Sequence, residues 1–163
     1  MPLFNLEPVS LFLPQFIQLL DKKDSGVNGG FAAIADWTNK TVNFIAVDET
    51  DSVSLINNVF ILPLGDYQIS ITTDFYGLYD TKIRLFNLTD GITLLQGING
   101  QFNPNSGMVG HSHLTGKFTV LSDKSLLLQY YTVAGNSNQY NHGGSVGDGS
   151  PEIYTSIDLW KVG

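Results

Sequence analysis

The amino-acid sequence predicts an all-β protein, a sandwich or jelly roll, and three observations carry that prediction. Past the first twenty or so residues, no segment of helical length places apolar side chains at three-and-four spacing. β-Branched and aromatic residues recur instead in short runs. Turn sequences separate those runs: Pro63-Leu64-Gly65-Asp66, Asp90-Gly91, Asn103-Pro104-Asn105-Ser106-Gly107 and Ser122-Asp123-Lys124. Short strands at such spacing suit two packed sheets, because a parallel sheet needs a long crossover between consecutive strands. With 163 residues, 42% of them apolar, the chain is long enough for one sizeable core and hence one domain.

Ten strands are expected: Phe16–Lys22, Gly30–Ala35, Thr41–Ala46, Ser52–Leu62, Asp66–Phe75, Thr81–Leu88, Thr93–Gly97, Ser112–Leu121, Ser125–Val133 and Glu152–Val162. Alternation is clean in the fifth, where Tyr67, Ile69, Ile71, Thr73 and Phe75 oppose Gln68, Ser70, Thr72 and Asp74, so one face meets the core and the other meets water. It fails in the ninth, where Leu126, Leu127, Leu128, Tyr130 and Tyr131 run almost without a break. It fails again in the tenth, which sets Ile153, Ile157 and Leu159 against Tyr154, Trp160 and Val162. A sandwich sheet buries one face, so these strands predict an oligomer, with Leu126, Leu128, Tyr130 and Trp160 divided between core and subunit contact.

Residues 1–15 read as a separate extended arm before a domain spanning 16–163. The arm carries Leu3, Phe4, Leu6, Val9, Leu11, Phe12 and Leu13, and Pro2, Pro8 and Pro14 punctuate it. Glu7, the prolines and the lack of a basic residue before Lys22 exclude a secretion signal or membrane-spanning helix. An apolar arm must be covered, either by its own domain or by a docking surface elsewhere.

Fifteen acidic against eight basic residues give a net charge of −7, which argues against nucleic acid as a partner. Only 14% of residues are charged, so much of the surface is uncharged or covered by another chain. With no cysteine there is no disulfide, thiolate zinc site or cysteine nucleophile.

The segments Asp21-Lys22-Lys23-Asp24-Ser25-Gly26-Val27-Asn28-Gly29-Gly30, Ile61-Leu62-Pro63-Leu64-Gly65-Asp66-Tyr67, Arg84-Leu85-Phe86-Asn87-Leu88-Thr89-Asp90-Gly91, Pro151-Glu152-Ile153-Tyr154 and Leu159-Trp160-Lys161 carry a resemblance. Together they resemble a family of phage and prophage virion proteins, over roughly residues 16–163. The resemblance implies a tumour-necrosis-factor-like jelly roll of ten strands that associates as a homotrimer, with a job as capsid decoration protein, capsid fibre or tail-fibre knob. It carries no catalytic residue and no cofactor. Its partner as decoration would be the major capsid protein, and its location the capsid surface of a virion assembled in a host cytoplasm.

Residues with chemistry of their own are few. His111 and His113 fall on one strand face, yet two imidazoles fall short of a metal site without a third ligand. The stretch Asn141 to Gly149 is glycine-rich but lacks the Gly-Lys-Ser/Thr ending of a phosphate loop. No serine stands in a nucleophile elbow. Asp74 and Asp80 form the best carboxylate pair, flanking the turn Phe75-Tyr76-Gly77-Leu78-Tyr79. That turn, with Tyr140 and His142, supplies the candidates for contact with a receptor or a host surface glycan: Phe75, Tyr76, Tyr79, Tyr140 and His142. Neither an enzyme nor a membrane protein is expected. Decoration of a capsid through the arm is the favoured reading, because about fifteen residues precede the domain and leave no room for a fibre shaft. A receptor-binding knob is the alternative.

Overall fold

The computed structural model describes residues 12–100, 109–135 and 138–163. Among them are eleven strands and no helix: β1 (Gln15–Lys23), β2 (Thr38–Asn39), β3 (Phe44–Asp48), β4 (Ser54–Ile56), β5 (Val59–Ile61), β6 (Gly65–Tyr76), β7 (Thr81–Asn87), β8 (Ile92–Gln96), β9 (Val109–Val120), β10 (Ser125–Thr132) and β11 (Glu152–Lys161). They form two antiparallel sheets, ordered β3-β1-β11-β6-β9 and β4-β5-β10-β7-β8, with β2 added to β10. Apart from the hairpins β4-β5 and β7-β8, consecutive strands cross between the sheets, as in a jelly roll.

The core lies between the sheets and follows the period of two. Ile17 and Leu19 of β1, Tyr67, Ile69, Ile71 and Phe75 of β6, Ile83 and Leu85 of β7, Leu126, Leu128 and Tyr130 of β10, and Ile157 and Leu159 of β11 all point inward and are buried. The doubly apolar β10 is resolved within the chain. Leu127, on its outer face, is covered, and Tyr131 packs on Trp37 at 5.6 Å between ring centroids. Arg84 meets that Trp37 ring and one more, its guanidinium carbon 4.0 Å from the Trp37 centroid and 4.4 Å from that of Phe86. Within the chain, the segment around Trp37 covers part of this surplus face.

Three expected strands differ. Gly30–Ala35 is not a strand, because its backbone donors go to side chains and loops: Ala32 N–H to Asn141 Oδ1 at 3.2 Å, Ala33 N–H to the Tyr130 hydroxyl at 2.9 Å and Ala35 N–H to the Thr132 carbonyl at 2.8 Å. Thr41–Ala46 becomes the later β3, since the Asn43 side chain bonds both N–H and C=O of Lys22 at 2.9 Å and stands in for a ladder rung. Ser52–Leu62 splits into β4 and β5 around Asn57 and Asn58, whose φ values of 51° and 68° make a tight hairpin turn.

The antiparallel registers give the sandwich two poles. At one, called the base, β1, β6, β8 and β10 begin and β3, β5, β7, β9 and β11 end, with Gln15 opposite Lys161 and Gly65 opposite Val120. The opposite pole, the rim, gathers the connections 24–37, 77–80 and the described parts of 133–151.

Candidate functional site

The base is apolar where a loop end should be polar. Leu64, Leu88, Ile92 and Leu121 are exposed by 55%, 51%, 50% and 83%. Ile92, Leu94, Val120, Leu121 and Leu126 line a cleft of about 440 Å³ there, with Asp90 and Lys124 paired at 2.8 Å on its edge. Phe12 and Leu13 leave β1 at this same pole, both exposed. Pro14 continues the surface with Gln68, Trp160 and Val162. The remaining arm residues Leu3, Phe4, Leu6, Val9 and Leu11 lie outside the described residues. The band of loop leucines was missed in the sequence, although a signal was present: the turns Pro63-Leu64-Gly65, Leu88-Thr89-Asp90 and Leu121-Ser122-Asp123 each hold a leucine among turn formers.

Four residues were expected to be divided between core and subunit contact, and the structure divides them unevenly. Leu126 and Leu128 are fully buried and Tyr130 is 1% exposed, so these three belong to the core of a single chain. As subunit contacts they are corrected: the inward register of β10 commits them to packing between the sheets. Trp160 alone stays at the surface, its ring 5.3 Å from that of Phe16 on the outer face of the β3-β1-β11-β6-β9 sheet. That face is rich in small polar side chains. Gln18 donates to Asp158 at 2.9 Å, Ser156 donates to the same carboxylate at 2.9 Å, and Ser70, Thr72 and Thr115 continue the face.

Five residues were expected at a receptor or glycan contact. Phe75 and His142 are corrected, since both are buried: the His142 ring meets Tyr130 edge-on at 4.8 Å and Phe75 at 5.7 Å. Tyr76 is half-buried and meets Tyr140 edge-on at 6.5 Å, while Tyr140 and Tyr79 remain exposed on the rim. The rim loops are tied together. The Glu152 carboxylate accepts from the backbone N–H of Gly26 at 3.0 Å, Val146 at 3.1 Å and Gly147 at 2.8 Å, which holds its proton affinity below that of an ordinary carboxylate. Asn28 accepts from Ser145, and Tyr154 donates to the Val27 carbonyl. Gly143, at a φ of 113°, lets the loop cross the Tyr154 ring where a side chain would collide.

His111 and His113 lie on the outer face of β9, with the His111 ring bound to Asp74 at 2.6 Å and that of His113 to Thr72 at 3.2 Å. Among the described residues no group of three or more His, Cys, Asp or Glu side chains is placed to hold a metal ion. Asp74 is thereby engaged by a histidine, while Asp80 lines a separate cleft with Lys82, Asn99 and Tyr131.

No family model matches the chain, and no curated protein matches it in sequence. Solved structures do match in fold. Murine APRIL, in a crystal structure at pH 8.0, superposes with a TM-score of 0.60 at 12% identity, over 92% of this chain and 100% of that one. The globular domain of zebrafish complement 1qA protein superposes with a TM-score of 0.57 at 12% identity, over 93% of this chain and 98% of that one. At that identity the likeness is one of architecture, and the architecture is the tumour-necrosis-factor-like jelly roll.

Proposed function

We propose that the chain is a virion structural protein: a homotrimer that decorates a phage capsid, docking through its base onto the shell built by the major capsid protein. The observation that carries the docking reading is the coincidence, at one pole, of the exposed Leu64, Leu88, Ile92 and Leu121 with the start of the apolar N-terminal arm. Exposed apolar side chains gathered at one pole in this way are a mark of interfaces. The phage assignment rests on the sequence resemblance, and the fold is consistent with it. The trimer is assigned to the polar, weakly charged outer face of the β3-β1-β11-β6-β9 sheet, with Phe16 and Trp160 as its aromatic anchor. Three bases held in one plane engage neighbouring sites together, so modest affinity per arm becomes a long residence on the particle.

The test is deletion of residues 2–14, which ends before the first ladder pair, Gln15 with Lys161. The shortened chain is expected to fold, to keep the trimer mass in light scattering, and to lose binding to undecorated capsids. Unchanged capsid binding by the truncated protein would refute the docking role. A second reading, a receptor-binding knob, is favoured by Tyr79 and Tyr140, which are 42% and 41% exposed on the rim. It predicts adsorption to host cells that is lost in a Tyr79→Ala, Tyr140→Ala double variant.

A further inference from the structure

The rim end of the sandwich holds three polar side chains that docking does not use. Asp21 of β1 is wholly buried and faces inward opposite Thr155 of β11. Thr155 in turn faces Thr73 of β6, with the two hydroxyls 2.8 Å apart. Phe75, the next inward residue of β6, meets the other two. The Lys40 ammonium lies 5.3 Å from its ring centroid and the His142 ring 5.7 Å from it. Lys40 is 1% exposed and His142 7%.

Their neighbours are satisfied and they are not. Lys23 donates to the carbonyls of Asn28 at 3.3 Å and Gly29 at 2.5 Å, and the two threonines bond each other. Both oxygens of Asp21, the Lys40 Nζ and the His142 Nδ1 have no hydrogen-bond partner. Ion pairing does not join Asp21 to Lys40; among the described residues the ion pairs are His111 with Asp74 and Lys124 with Asp90. A buried, neutral imidazole keeps one ring nitrogen as a lone-pair acceptor. Native interiors do not leave four such atoms together without partners.

The inventory of these atoms identifies what suits them. Lys40 offers three donors, Asp21 two acceptor oxygens and His142 one acceptor nitrogen, and Lys40 and Asp21 make no direct ion pair. A molecule that both donates and accepts, and is small enough for a closed interior, matches that set. We infer that Asp21, Lys40 and His142 form an internal water site, in which bound water joins carboxylate, ammonium and imidazole. Electrostatics agree. Burial pushes the Lys40 ammonium down to about 7, with Asp21 opposing the shift, and pushes His142 to about 2, so that its ring is a neutral acceptor. Burial also raises the Asp21 carboxyl, against Lys40 and Lys23. Water here ties β1, the segment after β2 and the connection into β11 into one closed end.

A high-resolution crystal structure of the full chain is the first test. Ordered water within hydrogen-bond reach of Asp21, Lys40 and His142 is expected. A direct Lys40–Asp21 contact with no water beside it would overturn the site, and so would an intact mass lower by one water, the sign of an amide between the two side chains. A stability series is the second. Lys40→Met strands a buried carboxylate and is expected to lower the Tm by roughly 6–12 °C, with most of it regained in Asp21→Leu, Lys40→Met. A Lys40→Met protein as stable as the parent would also overturn it. If that variant does not fold, the crystal structure and the mass of the parent protein still decide.

Discussion

Glu152 is where a single residue organises the rim. Its carboxylate collects three backbone N–H groups from two connections, Gly26 on one side and Val146 and Gly147 on the other. The bonds favour the charged form, so the folded-state pKa lies below the ordinary 4.5. The sign follows from linkage: a lowered folded pKa gives stability that is complete above the unfolded value and is lost as pH falls through the folded one. Glu152→Gln is therefore expected to have a lower Tm at neutral pH, and the difference from the parent is expected to shrink below about pH 4. A series of melting curves from pH 7 to pH 2.5 checks this. Faster amide exchange at Gly26, Val146 and Gly147 in the variant would place the loss at the clamp. His142 and Phe75 are the contrasting case at this scale. Asparagine and glycine around His142, and the aromatic turn that begins at Phe75, read as surface, and only long-range packing on Tyr130 buries them. No local pattern carries that information.

Elements were legible where period and turn chemistry agree. The alternation of Tyr67, Ile69, Ile71, Thr73 and Phe75 gave β6 to within a residue at each end, and the strand pairs with β9 along its whole length. Legibility failed where side chains replace the ladder. Asn43, Asn141 and Tyr130 each take backbone partners that a strand would otherwise supply, so β-rich composition at Gly30–Ala35 and Thr41–Ala46 misplaced the elements. The two-residue β2 is too short to leave a periodic signal. The hairpin between β4 and β5 was hidden inside one apparent strand, since Asn-Asn is a weaker turn sign than Asn-Gly. Asn58 there holds a φ of 68° and accepts the Val42 N–H at 3.1 Å. Asn58→Ala is expected to cost about 1–3 kcal/mol in urea unfolding, because alanine resists that φ and strands the Val42 donor. A change of a few tenths would show that the hairpin is not built on that turn.

For the whole molecule the governing feature is the difference between poles. The base was legible only as an arm; the leucines beside it became a surface once the registers put their turns together. A Leu64→Ser, Leu121→Ser double variant replaces no core residue, and both positions are more than half exposed. It is expected to leave the Tm within about 2 °C of the parent. Capsid binding, measured by co-sedimentation with undecorated particles, is expected to weaken at least tenfold. Parent-like binding would limit docking to the arm. The two ends of the domain meet at the base: Gln15 pairs with Lys161, and the Gly163 carbonyl accepts from Asp66 at 2.8 Å. If the base docks as proposed, cargo fused after Gly163 would lie between the protein and the surface beneath it. The exposed tip at Asp148, beyond the Glu152 clamp and at the opposite pole, is the port from which an inserted peptide would face outward.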